Sequence, residues 1–204
     1  MKRLADTTFR FLRNLRRPSK GENLALLRTR GETVASLAIR DATSSDIPAL
    51  ARLHVTTWNA TYGVGQGGPT YELRERQWRE AFSSVDGSWF CLVIERSNGE
   101  LIGFAKGKRY ASSDLPEFAG ELNKIYLLEE YQRVGLGSRL MGHVVRRFLD
   151  EGIRSMVLFG DPGNPSCACW DALGGERLYS PRGDFDGAYG WRNLHDLAAM
   201  CPAD

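Results

Sequence analysis

The stretch Gln132-Arg133-Val134-Gly135-Leu136-Gly137 decides the fold, because it joins a strand pattern to a helix pattern through two glycines. An apolar run with strand character, residues 122–128, precedes it, and an amphipathic helix pattern, residues 138–149, follows it. The first turn of a helix presents backbone N–H groups without intrahelical acceptors, and the helix dipole adds partial positive charge there. Glycine lets an anion approach such a backbone closely. The sequence therefore predicts a phosphate-binding loop from Gln132 to Ser138.

The spacing of the two glycines argues against a dinucleotide-binding fold. The fingerprint of that fold is G-x-G-x-x-G. Counted from Gly135 and Gly137, its third glycine would stand where this chain has Leu140. The predicted phosphate site is therefore of another type.

Charge is distributed unevenly along the 204 residues, 42% of which are hydrophobic. Residues 1–36 hold nine basic and three acidic side chains, a charge of +6, and since the whole chain carries +2 the remainder carries −4. We therefore divide the chain into a basic N-terminal extension, residues 1–36, and one domain, residues 37–204. A mildly acidic domain tolerates a cationic, amine-bearing ligand.

The N-terminal extension has three interpretations. Phe9, Leu12 and Leu15 form a narrow apolar stripe among arginines, and Pro18 and Gly21 end that pattern. We favour a solvated tail or a helix packed loosely on the domain. A contact with nucleic acid or an acidic membrane surface, or an organelle-targeting segment, are the alternatives. Because the nucleic-acid interpretation rests on this arm alone, we do not expect nucleic acid as a partner.

Cysteine usage and hydropathy narrow the class of protein. Four cysteines in a chain of this length do not form a disulfide framework. Cys167-x-Cys169 has no second pair of Cys or His at zinc spacing, so we expect no metal. No apolar run is long enough to cross a bilayer, and we expect a soluble, cytoplasmic protein.

The order of the elements predicts a mixed α/β domain, β-α-α-β-β-β-α-β-α-β-β, with a hairpin turn at Asn98-Gly99. The predicted strands cover residues 37–40, 89–95, 101–109, 121–128, 155–159, 176–179 and 187–194. The predicted helices cover residues 45–62, 71–82, 138–149 and 165–173.

This order, together with Gln/Arg-x-x-Gly-x-Gly between a strand and a helix, resembles the GNAT N-acetyltransferases over residues 37–194. Three further stretches resemble the family: residues 39–46, residues 52–62, and Asn164 through Trp170 to Gly175. The resemblance implies an α/β (α+β) GNAT fold, a mixed, mostly antiparallel sheet of about seven strands with helices on both faces. The domain of residues 37–204 is then an N-acetyltransferase domain.

The resemblance also implies a reaction. An enzyme of this family transfers an acetyl group from acetyl-CoA directly to a primary amine, without a metal and without a covalent enzyme intermediate. The acceptor, a small molecule or a peptide, is not indicated, and a homodimer stays open. The alternative is an acyl-CoA-binding regulatory or interaction domain with little turnover, because Trp170 stands where many relatives carry the tyrosine that protonates the departing thiolate. An indole N–H cannot lose its proton near neutrality.

Coenzyme-binding residues follow from the resemblance. Main-chain donors of the loop would hold the pyrophosphate, and the side chain of Arg133 would add charge beside it. A backbone N–H near Leu127 or Leu128 would stabilise the oxyanion and pair with the pantetheine arm. Asn164 would bond the coenzyme arm and also suits a helix N-cap before Pro165. The set is Leu127, Leu128, Gln132, Arg133, Val134, Gly135, Leu136, Gly137, Ser138 and Asn164.

Catalytic and acceptor-side residues are less determined. Acetyl transfer needs a neutral amine, and Glu121 is the candidate base, since strict alternation puts it on one face with Asn123, Ile125 and Leu127. A charge partner for a nearby Lys or Arg is the equal alternative for Glu121. Tyr126, Tyr179 and solvent are possible substitutes for the missing tyrosine acid, and the alternative is that the thiolate leaves unprotonated. Trp58 and Tyr62, beside the glycine-rich stretch 63–68, resemble the acceptor-side wall of relatives, although core packing explains Trp58 equally well.

Overall fold

The computed structural model describes residues 18–63, 67–84, 86–164 and 166–201, which form seven strands and six helices. The strands are β1 Ala38–Asp41, β2 Trp89–Glu95, β3 Leu101–Arg109, β4 Gly120–Leu127, β5 Met156–Phe159, β6 Glu176–Leu178 and β7 Ala188–Trp191. The helices are α1 Lys20–Thr29, α2 Ile47–Tyr62, α3 Tyr71–Ser83, α4 Leu136–Asp150, α5 Cys167–Ala172 and α6 Leu194–Met200.

All seven strands form one sheet in the order β1-β2-β3-β4-β5-β7-β6. Every neighbouring pair is antiparallel except β4 and β5, which run parallel. The parallel pair is short: Gly120 pairs with Met156 and Glu121 with Val157, and the ladder stops there. The two strands therefore separate toward the carboxyl end of β4, where the phosphate loop begins.

Helices cover both faces of the sheet. One face packs against α4, with α1 and α6 beside it, and the other packs against α2 and α3. Helix α4 anchors the first face because Leu140, Val144 and Phe148 recur at helical spacing and are fully buried. The predicted mixed, mostly antiparallel sheet of seven strands with helices on both faces is confirmed.

Helix α1 runs through Gly21, where a helical pattern was expected to end. Ser19 and Glu22 form a capping box, in which the Ser19 side chain accepts from the Glu22 N–H and the Glu22 carboxylate accepts from the Ser19 N–H. The helix therefore begins at Lys20 and runs through Gly21, and its Leu27 enters the core, only 2% exposed. The stripe of Phe9, Leu12 and Leu15 lies outside the described residues.

Helix α6 is absent from the predicted order, which ends in a strand. Asn193 caps it by accepting from the His195 N–H, and Leu194 and Leu197 are buried against α4. The short strand β7 ends at Trp191 rather than 194 because this cap diverts the chain. None of the helices described is long and apolar enough to cross a bilayer.

Candidate active site

The phosphate loop places a glycine at the start of α4. Gly135 is the N-cap residue, with φ at +96° and no side chain to cap the helix. The Arg139 N–H donates to the Gly135 carbonyl over 3.0 Å, which closes the first helical turn. The N–H groups of the preceding first-turn residues Leu136, Gly137 and Ser138 have no acceptor within the helix. This is the arrangement of donors and dipole that binds phosphate.

The residues of the phosphate loop differ in which of their atoms a ligand can reach. A Cβ at Gly135 would meet no atom within 4 Å, and one at Gly137 would meet only Leu127 at 3.6 Å, so both positions face open space. Val134 and Leu136 are buried, and only their main chain can serve a ligand. Arg133 is exposed beside the opening and, at φ 62°, is the one non-glycine residue with positive φ among those described.

A cavity of about 330 Å³ opens onto this loop between the ends of α2 and β4 and the segment leading into α5. Predicted residues that line it are Tyr126, Leu127, Gln132, Arg133, Gly135, Gly137, Ser138 and Asn164. The other lining residues, none of them a predicted site residue, are Ala60, Thr61, Ile125, Glu129, Ser166, Cys169 and Trp170.

The separation of β4 from β5 leaves one edge of β4 open to the cavity. The Leu128 N–H donates to the Ile102 carbonyl of β3 over 2.9 Å, so it is not available to a ligand. Successive N–H groups of a strand point to opposite edges, and the Leu127 N–H therefore points to the open edge. Of the two predicted oxyanion donors, only Leu127 is placed for that role. The Gln132 side chain donates to the Leu127 carbonyl over 2.9 Å and holds this strand end.

Asn164 lines the cavity and contacts Tyr62 beside it, whereas neither Tyr62 nor Trp58 is among the lining residues. The Asn164 amide donates to the Tyr62 hydroxyl over 3.4 Å, while its carbonyl oxygen accepts from the Ser166 N–H over 2.9 Å. Helix α5 has Ser166 as its N-cap, so Asn164 forms the preceding turn instead of the cap. Pro165 lies outside the described residues. Tyr62 also packs on Trp58, with ring centroids 5.0 Å apart.

Trp170 and Tyr126 both line the cavity, whereas Tyr179 is 60% exposed elsewhere and packs on Phe185. Burial, and secondarily the neighbouring Tyr62, raises the pKa of Tyr126 to about 12. Its phenol therefore stays protonated at any physiological pH. A raised pKa makes Tyr126 a hydrogen-bond donor rather than a ready source of a proton.

Glu121 does not line the cavity. Its carboxylate forms an ion pair with Lys108 at 2.9 Å and accepts from the Asn123 amide over 2.6 Å. Its partner on β3, Lys108, stands four residues from Phe104, the partner of Tyr126, so Glu121 and Tyr126 are about 13 Å apart along the strands. The ion pair with a nearby lysine, one of the two alternatives for Glu121, is thus present. If Glu121 also acts as a base, it must do so at a distance from the cavity.

A bulge in β4 corrects the predicted face of Glu121. Lys106 pairs with Lys124 but Gly107 pairs with Leu122, so Asn123 is an extra residue in β4. The alternation inverts there. Glu121 consequently shares the α2–α3 face with Tyr126, and the prediction that it shares a face with Ile125 and Leu127, which pack on the α4 side, was wrong.

The loop is supported by helix α1, through contacts that were not predicted from the sequence. The Asn23 amide of α1 donates to the carbonyls of Glu129 and Gln132 over 2.9 and 2.8 Å. Tyr131 is buried beside it and accepts from Arg30 over 2.7 Å. These contacts join residues more than 100 positions apart, and no local pattern could have indicated them.

The part of the chain that the structure describes contains no candidate metal site. Throughout residues 18–63, 67–84, 86–164 and 166–201, no group of three His, Cys, Asp or Glu side chains is arranged to hold a metal ion.

Comparison with known proteins agrees with this geometry. The sequence profile of the acetyltransferase (GNAT) family matches residues 47–174. An uncharacterized N-acetyltransferase, YuaI, of Bacillus subtilis is 29% identical over 80% of this chain and 98% of its own length. The phosphinothricin N-acetyltransferase of Streptomyces viridochromogenes is 26% identical over 78% of this chain and 83% of its own.

A solved structure extends the likeness to three dimensions. The GNAT superfamily phosphinothricin acetyltransferase of Sinorhizobium meliloti, in complex with acetyl-CoA, superposes with a TM-score of 0.56 at 22% identity, over 76% of this chain and 86% of that one. The glycine loop, the opened sheet and the match over residues 47–174 lead to one conclusion: the chain belongs to the GNAT family and is an acetyltransferase enzyme.

Proposed function

We propose that this enzyme transfers the acetyl group of acetyl-CoA directly to a primary amine. The observation that carries the proposal is the cavity, which joins the first-turn N–H groups of α4 to the open edge of β4. A coenzyme needs both features, one for its pyrophosphate and one for its extended pantetheine arm. The solved relative that contains acetyl-CoA supports the choice of coenzyme.

The pyrophosphate is bound by main-chain donors of Gly135, Leu136, Gly137 and Ser138. Arg133 adds a cationic side chain at the rim, and the positive end of the 15-residue helix α4 adds its dipole. The pantetheine arm runs along the open edge of β4, and Asn164 bonds it from the opposite wall.

The thioester carbonyl lies at the end of β4, where the Leu127 N–H donates to the oxyanion of the tetrahedral intermediate. The amine nitrogen attacks the carbonyl carbon, the C–N bond forms, and the C–S bond breaks with its electron pair leaving on sulfur. Tyr126 donates a hydrogen bond to that thiolate. It keeps its own proton, because a phenol with a pKa of about 12 is a weaker acid than a thiol with a pKa of about 8.5.

The attacking amine must lose a proton, and water carries it from the cavity. Glu121 serves at most as a remote acceptor in that route, since its carboxylate already bonds Lys108 and Asn123. Trp58 and Tyr62 form the acceptor-side wall, where Tyr62 also holds Asn164.

The test separates binding from turnover. Calorimetry measures coenzyme A binding, and release of free thiol from acetyl-CoA is followed with a panel of amines, amino acids and short peptides that includes phosphinothricin, after the relatives of that name. We expect binding and amine-dependent thiol release. Binding without turnover across the whole panel would instead favour the acyl-CoA-binding regulatory domain, for which Trp170 in the cavity is the motivating observation.

A further inference from the structure

Four basic side chains gather on the α2–α3 face of the sheet, next to Tyr126. We call Arg74, Lys106, Lys108 and Lys124 the cationic cluster. The register pairs Lys106 with Lys124 across β3 and β4, and regular alternation puts Lys124 on the same face as Tyr126, two residues later. Arg74 comes from α3, and its charge acts on both Lys124 and His54.

Two members of the cationic cluster already have partners. Lys108 pairs with Glu121 at 2.9 Å. Lys106 lies over the rings of Trp89 and Trp78, 4.6 and 5.6 Å from their centroids. Such ring contacts stabilise a cation without an anion.

The other two members, Arg74 and Lys124, form no ion pair with a carboxylate of the described residues. Lys124 donates to the neutral Asn123 amide over 2.8 Å, and Arg74 donates to Gln77 over 2.8 Å. The Arg74 Nε is buried and has no hydrogen-bond partner within the described part of the chain. Glu75, also on α3, pairs with Arg79 instead.

A buried donor without an acceptor destabilises the folded protein, and like charges side by side add to that destabilisation. The effect shows in Lys124, where burial, and then the charges of Lys106, Arg74 and Lys108, lower the pKa to about 8. An anion between Arg74 and Lys124 would relieve both problems.

The position of the cationic cluster relative to the cavity indicates which molecule would supply the anion. Tyr126 lines the cavity, and Lys124 stands two residues before it on the same face, about 7 Å along the strand. A molecule whose amine attacks at the end of β4 can therefore reach Lys124 with a group several bonds away from that amine.

We infer that Arg74 and Lys124 bind an oxyanion of the acceptor, so that the acceptor carries a carboxylate or a phosphorus oxyanion as well as its amine. This inference rests on the proposed function, since it names the class of molecule that the same site acetylates. It reverses the expectation from net charge. The −4 of residues 37–204 favours a cationic ligand at long range, but the positive charges of Arg74 and Lys124, which interact with each other, act on a ligand locally.

Matched acceptors test it. Amino acids are compared with their carboxamides, and aminoalkylphosphonates with the corresponding alkylamines, which separates the two sources of oxyanion. We expect kcat/KM to favour the anionic member of at least one series by about 100-fold, because a built polar site rejects the analogue that leaves it unpaired. Equal kcat/KM for both members in both series would overturn the inference.

Variants of the cationic cluster test whether Arg74 and Lys124 cause the preference for anionic acceptors. Arg74→Gln and Lys124→Met should each reduce the preference about tenfold, chiefly through KM, and Arg74→Lys should recover part of it. Arg76→Gln, an exposed arginine two positions along α3, is the control and should leave the preference unchanged. A preference that survives both cluster variants would place the anion elsewhere and contradict the assignment.

A binding experiment keeps the inference testable without turnover. With the phosphate loop saturated by coenzyme A, methylphosphonate and acetate should raise the Tm of the wild-type protein but not that of the Arg74→Gln/Lys124→Met double variant. Equal shifts in both proteins would overturn the anion site. Absence of thiol release with every acceptor, alongside a Tm shift in the wild type only, would refute the proposed function and leave the anion site standing.

Discussion

The side chain of Asn23 donates to the carbonyl of Gln132 over 2.8 Å, so that a helix outside the family match fixes the first residue of the phosphate loop. The same amide donates to the Glu129 carbonyl over 2.9 Å, and Asn23 is only 2% exposed. Both donors of one amide are thus used to hold the loop. The segment before residue 47 therefore supports this loop as well as contributing to the core.

Replacing Asn23 with Leu should weaken coenzyme binding. The variant leaves two loop carbonyls without donors and lets the loop relax, for which we expect a Kd for coenzyme A about tenfold higher. Calorimetry measures it. Arg28→Ala, at an exposed position of the same helix, is the control for a general effect on α1. An Asn23→Leu protein with the wild-type Kd would show that the loop keeps its shape unaided.

Gly135 tests the phosphate assignment through a matched pair of variants. Asn and Asp have nearly the same shape and tolerate positive φ better than other residues, so Gly135→Asn and Gly135→Asp carry similar strain at φ +96°. Only the Asp adds negative charge beside the phosphates. We expect coenzyme A to bind the Asp variant about tenfold or more weakly than the Asn variant, with a gap that narrows as salt rises. Equal affinities for the two variants would contradict an anion at this position.

Much of the fold could be predicted because its signals are local. The strands at residues 89–95 and 101–109 and the helix beginning at Tyr71 are marked by hydrophobic period, by Asn98-Gly99 and by caps. The glycine loop was recognisable for the same reason, since its chemistry is that of one short segment of backbone.

The features that were not predicted depend on contacts between distant residues, which the hydrophobic periodicity of the sequence does not encode. One extra residue, Asn123, reverses the side to which Glu121 points, and nothing in the strand's composition marks the bulge. The partners of Asn23 and the approach of Arg74 to Lys124 depend on how separate elements pack. The acceptor side of the site is therefore the part that required the structure.

The burial of His54 should make the free energy of unfolding decrease at acid pH. His54 is 2% exposed among Trp78, Phe104 and Tyr126, and burial first, with the charges of Arg74 and Lys124, lowers its pKa to about 3. Above pH 6.5 both folded and unfolded states hold the neutral ring. As pH falls from about 6.5 toward 3, only the unfolded state takes up the proton, so this residue should remove about 1.4 kcal/mol of unfolding free energy per pH unit.

Urea unfolding at pH 7, 6, 5 and 4 measures that slope. His54→Phe fits the aromatic surroundings and should lose the contribution, so that the difference between wild type and variant changes steadily below pH 6.5. His195→Gln, at an exposed histidine, is the control and should retain the wild-type slope. A difference between wild type and His54→Phe that is constant with pH would mean that His54 takes up its proton at the same pH in the folded and unfolded states, and would contradict the lowered pKa.

Tyr126→Phe tests the hydrogen bond to the departing thiolate. Removing one donor aimed at developing charge should lower kcat by about 10- to 100-fold while leaving the Kd of coenzyme A near its wild-type value. Because the pKa of Tyr126 is raised to about 12, ionisation of this phenol should cause no loss of wild-type kcat at saturating acceptor between pH 8 and 10, where an ordinary tyrosine begins to ionise. Tyr179→Phe, outside the cavity lining, should leave kcat unchanged.

Position 170 tests whether a hydroxyl at another place in the cavity can replace that of Tyr126. Trp170 lines the cavity, and a tyrosine there would bring a phenol to the thiolate from the opposite wall. We expect Trp170→Tyr in the Tyr126→Phe background to recover part of kcat, measured by thiol release at saturating acceptor. If the Tyr126→Phe protein keeps the full wild-type kcat, the thiolate leaves without help from this hydroxyl, and the oxyanion contact at Leu127 remains the one protein group proposed to act on the reacting atoms.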